Sequence, residues 1–131
     1  AGLGGECLFT MAFLTVRAAA GAVLKVTPIV NGDESLSYAH PSGTVQVSQT
    51  LVTVPQQAGS PPTLVLHTFE VPLLHKLVQG GASVATWHPR GERCAIQIES
   101  VGVIGSGSFR VEQCELEHEV IRRSRFNTFT P

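Results

Sequence analysis

Apolar and polar residues alternate with a period of two in several segments of this chain, and this alternation constrains the fold more than any other feature. In Cys94–Ile104, for example, Cys94, Ile96 and Ile98 alternate with small or polar residues. Turns rich in glycine, proline and asparagine separate these segments, as expected of half-buried β-strands. The predicted strands are Leu8–Val16, Leu24–Val30, Thr44–Val54, Thr63–Val71, Ser83–Trp87, Cys94–Ile104 and Ser108–Leu116. Many short strands with regular turns predict a mainly β sandwich or barrel.

The alternation changes phase inside Thr44–Val54. Val45 and Val47 occupy one face of the predicted strand, whereas Leu51, Val52 and Val54 follow a different phase. A phase change within one strand indicates a β-bulge or a strong bend, because the period of two otherwise fixes which face is buried. Small closed barrels use such bends to let one strand serve two walls.

Two short helices are predicted beside the strands. Pro72–Val78 begins with a proline, carries four apolar residues on one helical face, and is followed by Gly80 and Gly81 as a C-terminal stop. Glu117–Arg125 has acidic residues early and basic residues late, which suits a helix dipole. One helix between the third and fourth barrel strands favours an OB-fold, a five-stranded antiparallel Greek-key barrel, followed here by a short C-terminal helix.

Length and charge limit the organisation and the partners. The 131 residues predict one domain over residues 1–131, with a flexible start at 1–6 and a frayed tail at 126–131. Nine basic and ten acidic residues give a formal net charge of −1, so any cationic surface must be local. No apolar run reaches the ~18 residues of a membrane span, so no membrane partner is expected.

No pattern in the chain predicts catalysis, a metal or a cofactor. The three cysteines form no C-x-x-C pair and are expected to be free thiols in an intracellular reducing compartment. A nucleophile elbow and a phosphate loop are both absent from the sequence. The histidines have neither i,i+4 spacing nor a cysteine in ligand pattern, and structural roles are expected for them: His40, His67, His75, His88 and His118.

Two stretches resemble bacterial-type single-stranded-DNA-binding proteins. Ser35–Thr44, leading to Thr50–Val54, is similar to a Tyr-containing turn, a Pro-x-Gly turn and a Thr-Leu-Ala-Val strand of that family. His67–Val84 resembles the strand and helix that follow, and together these stretches cover 33 of the 131 residues. The resemblance implies an OB-fold that binds single strands.

The chain also departs from that family. The Asp-Pro of the family's turn is Asp33-Glu34 here, its arginine is Ser37, and Pro28 stands in the first barrel strand. A proline confines that segment to a sheet edge, a bulge or a strand end. Divergent OB-folds with a shortened helix are similar to the interaction proteins of the kinetoplastid RNA-editing complex. That resemblance implies a mitochondrial, non-catalytic domain that pairs with other OB-fold proteins and in some cases binds single-stranded RNA. A single-stranded-DNA-binding protein of the bacterial or mitochondrial class is the alternative.

Single-strand binding requires aromatic side chains for stacking and cations for the phosphates. Tyr38 lies in a predicted turn and Trp87 at a strand end, where both are candidates for exposure. The predicted nucleic-acid-binding residues are Tyr38, Trp87, Arg90, Arg93, Arg17 and Lys25. Because a small barrel must cover its sheet edges, assembly with a second OB domain is an equal hypothesis. A β-sandwich structural or capsid protein is the third.

Overall fold

A computed structural model describes residues 6–37, 43–56, 64–101 and 108–122. These residues form ten strands and one short 3-10 helix, Glu34–Ser37. The strands are β1 Glu6–Ala19, β2 Val23–Asn31, β3 Gly43–Gln46, β4 Thr50–Thr53, β5 Leu64–Pro72, β6 His75–Gln79, β7 Ala82–Trp87, β8 Arg90–Gly91, β9 Arg93–Val101 and β10 Arg110–Arg122. Wherever the structure describes them, the seven predicted strands therefore correspond to strand segments, and the mainly β prediction is confirmed. Residues 63 and 102–104 of those predictions lie outside the described residues, as do residues 1–5 of the predicted flexible start and the predicted tail at 126–131, whereas Glu6 begins β1.

The longest strand, β1, is the centre of sheet A. It pairs antiparallel with β10 on one side, from Glu6 opposite Arg122 to Arg17 opposite Arg110. On its other side β5 pairs antiparallel with the second half of β1, and the two residues of β8 pair near its start. Sheet A has the order β10-β1-β5.

Sheet B is built around β2. The whole of β2 pairs antiparallel with β9, whereas β4 pairs only with Val23–Val26. Pro28 comes after that point, opposite Ile96 of β9, where β2 has a single neighbouring strand in the described chain. A proline lacks the N–H that a second neighbour would require, so its expected restriction to such a position is confirmed.

Sheets A and B face each other across a shared core. Alternate residues of β1 and β2 are buried, as a half-buried strand requires. Phe69 of β5 and Ile98 of β9 pack against both clusters of buried residues, which makes the core continuous. The fully buried apolar side chains include Leu14, Val16, Leu24, Val26, Val54, Val71 and Leu73.

Sheet C, with the order β3-β6-β7, connects the two larger sheets at one side. β3 pairs with β6, but the same run of chain continues as β4, which pairs with β2 in sheet B. The break falls at Val47–Gln49, where Ser48 is buried. The predicted bend within Thr44–Val54 is therefore confirmed, and the phase changes because the two halves belong to different sheets.

The predicted helix at Pro72–Val78 is wrong. β5 ends at Pro72, Leu73 and Leu74 cross to sheet C, and β6 begins at His75. Gly80 and Gly81 have φ of 58° and 81° and form the two-residue turn between β6 and β7, a geometry that needs positive φ at both positions. The apolar residues there have strand neighbours on both sides of β6, so pairing with β3 and β7 overrides the helical spacing.

The predicted C-terminal helix is wrong where the structure describes it. Residues 117–122 are part of β10, and residues 123–125 lie outside the described residues. Pairing with β1 accounts for the difference, because alternate residues of β10 match the buried face of β1. No ladder joins β9 to β10 within the described chain, so closure into a barrel is not found there.

Candidate functional site

The predicted nucleic-acid-binding residues divide between two ends of the sheets. Trp87 ends β7, Arg90 lies opposite Leu8 near the start of β1, and Arg93 lies opposite Asn31 at the end of β2. These three positions share one end of the sandwich. Tyr38 lies outside the described residues.

Arg17 and Lys25 lie far from that end of the sandwich, and their side chains lie on different faces. Arg17 is nine residues beyond Leu8 along β1, a separation of about 30 Å at ~3.3 Å per residue. Arg17 alternates with the buried residues of sheet A, and Lys25 alternates with those of sheet B. Their side chains therefore lie on opposite outer faces.

Carboxylates pair with three of the predicted cations. Arg17 Nε lies 3.0 Å from Glu112 Oε1, Lys25 Nζ lies 3.4 Å from Glu99 Oε2, and Arg90 Nε lies 2.9 Å from Glu6 Oε1. Exposed pairs of this kind contribute little to stability, but they reduce the local positive potential. The cations named from the sequence do not line one continuous groove.

Trp87 is half-buried and held by its neighbours. Its indole N–H donates to Ser35 Oγ at 2.8 Å. The indole ring meets the His75 ring edge-on, with centroids 6.2 Å apart at 74°. The side chain is therefore fixed in the end of the sandwich, and only part of its surface is open to a base.

A buried polar network lies directly behind Trp87. His75 Nε2 is 2.9 Å from Asp33 Oδ2, and both side chains are 1% exposed. The backbone N–H of Ser48 donates to His75 Nδ1 at 2.8 Å. An amide can only donate, so Nδ1 is the unprotonated nitrogen and Nε2–H donates to the Asp33 carboxylate.

The network continues from both ends of the Asp33–His75 pair. Asp33 Oδ1 accepts from the backbone N–H of Ser35 at 3.1 Å and from the Ser35 hydroxyl. Ser48 Oγ accepts from the backbone N–H of Leu74 at 3.1 Å. The hydrogen bonds thus join the 3-10 turn, the bend at Ser48 and the start of β6.

An Asp–His pair can serve general acid–base chemistry, but only where substrate can reach the imidazole. Here one ring nitrogen of His75 is hydrogen-bonded to Asp33 and the other to the backbone of Ser48, and the ring is buried. The pair therefore acts as a structural tie. Sequence spacing gives no signal of it, because the two residues are 42 positions apart.

A cleft of about 590 Å³ opens where the β3–β4 and β5–β6 runs separate. Amide, hydroxyl and ammonium groups line it beside three apolar side chains: Gln46, Val47, Ser48, Gln49, Thr50, Pro72, Leu74 and Lys76. The Ser48 side chain connects this cleft to the buried network, since its Oγ is used by Leu74.

Two of the three thiols lie on strands of different sheets. Burial raises the pKa of Cys94 on β9 from 9.0 to about 11, and the nearby Cys114 adds to this. Burial also raises the pKa of Cys114 on β10. Both thiols are therefore neutral near pH 7 and poor nucleophiles. Among the described residues, no three histidine, cysteine or acidic side chains are grouped to hold a metal ion.

The outer edge of β10 is a surface that the sequence reasoning missed. This strand pairs with β1 alone within the described chain, along 13 residues. Its outer-facing glutamates, Glu115, Glu117 and Glu119, are here called the acidic edge. Apolar side chains on the same strand are exposed, among them Val111 at 41% and Val120 at 42%. A β-strand assignment for residues 117–122 would have revealed this alternation.

No family model, curated protein or solved structure matches this chain. In the portion described by the structure, no helix is long and apolar enough to cross a membrane. The function is therefore inferred from the geometry of the surfaces and from the residues that form them.

Proposed function

We propose that this chain is a non-catalytic β-module that scaffolds a multiprotein nucleic-acid-processing complex of the RNA-editing type by binding other proteins through the outer edge of β10. The observation that carries the proposal is β10, which has a neighbour on one side only in the described chain and exposes apolar side chains. A long edge with exposed apolar side chains is a surface on which a strand of another chain can pair.

The chemistry of the described surface supports binding over catalysis. Asp33 and His75 hold each other inside the protein, and the thiols of Cys94 and Cys114 are neutral near pH 7. The alternation of exposed glutamate and apolar residues along β10 instead suits recognition of an extended segment.

The proposal also includes the fold family, the partners and the cellular location. A divergent OB-fold, other OB-fold proteins as partners and a mitochondrial location rest on the resemblance carried by residues 35–54 and by the strand at 67–71, since residues 75–79 form a strand where the family has its helix. The antiparallel β architecture is compatible with this resemblance at the level of fold class.

Single-strand binding is the second candidate function. It is favoured by the common location of Trp87, Arg90 and Arg93 at one end of the sandwich. One half-buried indole and neighbouring guanidinium groups could stack on a base and contact phosphates. Single-stranded RNA is the expected ligand, and single-stranded DNA is the alternative.

Site-directed photo-crosslinking in the source cells tests both candidates. A photoreactive amino acid is placed at Val120 on β10, at Leu51 on β4 or at Arg93 on β9. Leu51 is the matched control, because it is an apolar residue with 64% of its surface exposed on a different sheet. We expect discrete protein adducts from position 120 that are absent from position 51.

Equal protein adducts from positions 120 and 51 would contradict assembly through β10. Nucleic-acid adducts from position 93, without protein adducts from position 120, would replace assembly with single-strand binding as the function.

A further inference from the structure

We propose that the outer edge of β10 takes a basic extended segment of a partner protein, which adds to sheet A as a new strand beside β10. The segment alternates lysine or arginine with aliphatic residues. This inference rests on the proposed function, because it names the partner chemistry of the same edge. It is carried by the acidic edge, by the outer backbone of β10, which no strand of the described chain pairs with, and by the apolar side chains on the opposite face of that strand.

The three glutamates of the acidic edge have the same spacing as alternate side chains of a neighbouring strand. Glu115 lies opposite Phe13, Glu117 opposite Met11 and Glu119 opposite Leu8, so the three carboxylates point to the outer face of sheet A. Residues two apart in a strand are separated by about 7 Å. Alternate side chains of an added strand have the same separation, so three cations could each meet one glutamate.

Among the side chains that the structure describes, no lysine or arginine compensates the charge of these glutamates. Glu115 accepts from the Gln113 amide at 2.9 Å, and Glu117 accepts from the Thr10 hydroxyl at 2.7 Å. The ion pairs on β10 go to Glu112, which Arg17 and Arg110 share. Within the described chain, no lysine or arginine pairs with Glu115, Glu117 or Glu119. Like charges this close repel, so a cationic partner is favoured.

The other face of β10 supplies the apolar half of the pattern. Val111 lies opposite Val16, Cys114 opposite Leu14, and Val120 opposite Cys7, all of which are buried on β1. On β10 itself, Val111 and Val120 remain exposed by about two-fifths of their surface, and Cys114 is exposed. Aliphatic side chains of an added strand would cover this side of the core.

A second copy of the chain fits the edge poorly. Antiparallel pairing of β10 with itself, centred on Leu116, would set Glu115 directly opposite Glu117. Parallel pairing in register would set each glutamate beside its own copy. Like charges directly opposite destabilise a ladder, so the acidic edge disfavours self-association and leaves the surface for a basic partner.

Fluorescence anisotropy with a labelled nine-residue peptide of alternating lysine and valine tests the inference. The double variant Glu115→Lys, Glu119→Lys should weaken binding by at least about tenfold, equivalent to about 1.4 kcal/mol. The control, Glu34→Lys with Glu92→Lys, changes the net charge equally at exposed positions away from β10 and should stay within about twofold. Bound peptide should also slow amide hydrogen exchange across residues 110–122.

Equal weakening by both double variants would overturn the inference, since binding would then depend on net charge alone. Equally tight binding of a glutamate–valine peptide would overturn it as well. So would a dimer, detected by light scattering, that the Glu115→Lys, Glu119→Lys variant fails to alter. If protein adducts form at position 120 while the basic peptide fails to bind, only the partner chemistry is wrong. If no protein adducts form there, the proposed function itself fails.

Discussion

At the residue scale, the most consequential side chain is His75. It is polar, 1% exposed, and hydrogen-bonded at both ring nitrogens. A buried polar group is tolerated only when its hydrogen bonds are satisfied, and the network through Asp33 and Ser48 satisfies them. The histidine thereby fixes the geometry of the end that carries Trp87.

Replacing His75 with alanine should lower the free energy of unfolding by about 3–5 kcal/mol, because the Asp33 carboxylate would stay buried without its partner. Urea denaturation followed by circular dichroism measures the change. His118→Ala is the control, since His118 is exposed and its ring lies beside that of Phe9 with centroids 6.2 Å apart. Equal losses in the two variants would show that the network does not stabilise the fold.

At the scale of the elements, irregularities in the ladder of β1 and β10 create specific contacts. The register shifts at Thr10, so this residue has no partner of its own on β10. On the other side of β1, the Thr10 carbonyl accepts from the backbone N–H of Leu73 at 3.1 Å, which continues the register of β1 and β5 to the point where the chain leaves sheet A. Glu112 is the extra residue of β10 at the shift between Thr15 and Val16, and its carboxylate binds Arg17. The bulge thus orients the Glu112 side chain toward Arg17, as bulges reorient side chains in other sheets.

Gly91 sets how closely β8 approaches the end of β2. A Cβ at this position would lie 2.3 Å from the carbonyl oxygen of Asn31 and 2.6 Å from a methyl of Val30. Gly91→Ala should therefore destabilise the protein by about 1–3 kcal/mol, since backbone must move to make room. Thermal unfolding of the variant measures this cost.

Gly43→Ala is the comparison for that variant. The nearest atoms to a Cβ at Gly43 are side-chain atoms of Gln79 and Leu77, at 2.9 Å and 3.0 Å, which can shift more easily than backbone. A smaller loss is expected there. A larger loss for Gly43→Ala would show that the contact with Asn31 does not limit the packing.

At the scale of the whole molecule, two facing sheets are joined at one side by sheet C, and no ladder between the described strands joins them at the other. On that other side lie β9 and β10, which carry Cys94 and Cys114. The raised pKa of Cys94 has burial as its larger cause and the neighbouring thiol as its smaller one. The pKa of Cys94 therefore depends on how closely β9 and β10 approach each other on this side.

Stability should fall as the pH rises from 9 towards about 11. The unfolded chain releases the Cys94 proton near pH 9.0, whereas the folded protein holds it until about 11, so ionisation favours unfolding in this window. The variant Cys94→Ser, Cys114→Ser should show a shallower decline in denaturation experiments. At pH 7 both thiols are protonated, so the difference in the free energy of unfolding between the variant and the unaltered protein at that pH measures packing alone. Parallel curves for the two proteins up to pH 11 would contradict the assignment.

The sequence by itself determined the strand segments, the bend at Val47–Gln49 and the placement of Pro28. Period-two alternation and the missing proline N–H are local properties, and each restricts the backbone directly. Only the tertiary structure decided that residues 73–79 and 117–122 extend into strands, because their neighbours in the ladders come from distant parts of the chain. The same applies to the candidate surfaces. The Asp33–His75 tie, the carboxylate partners of Arg17 and Lys25 and the open edge of β10 depend on sheet register, which spacing along the chain does not encode.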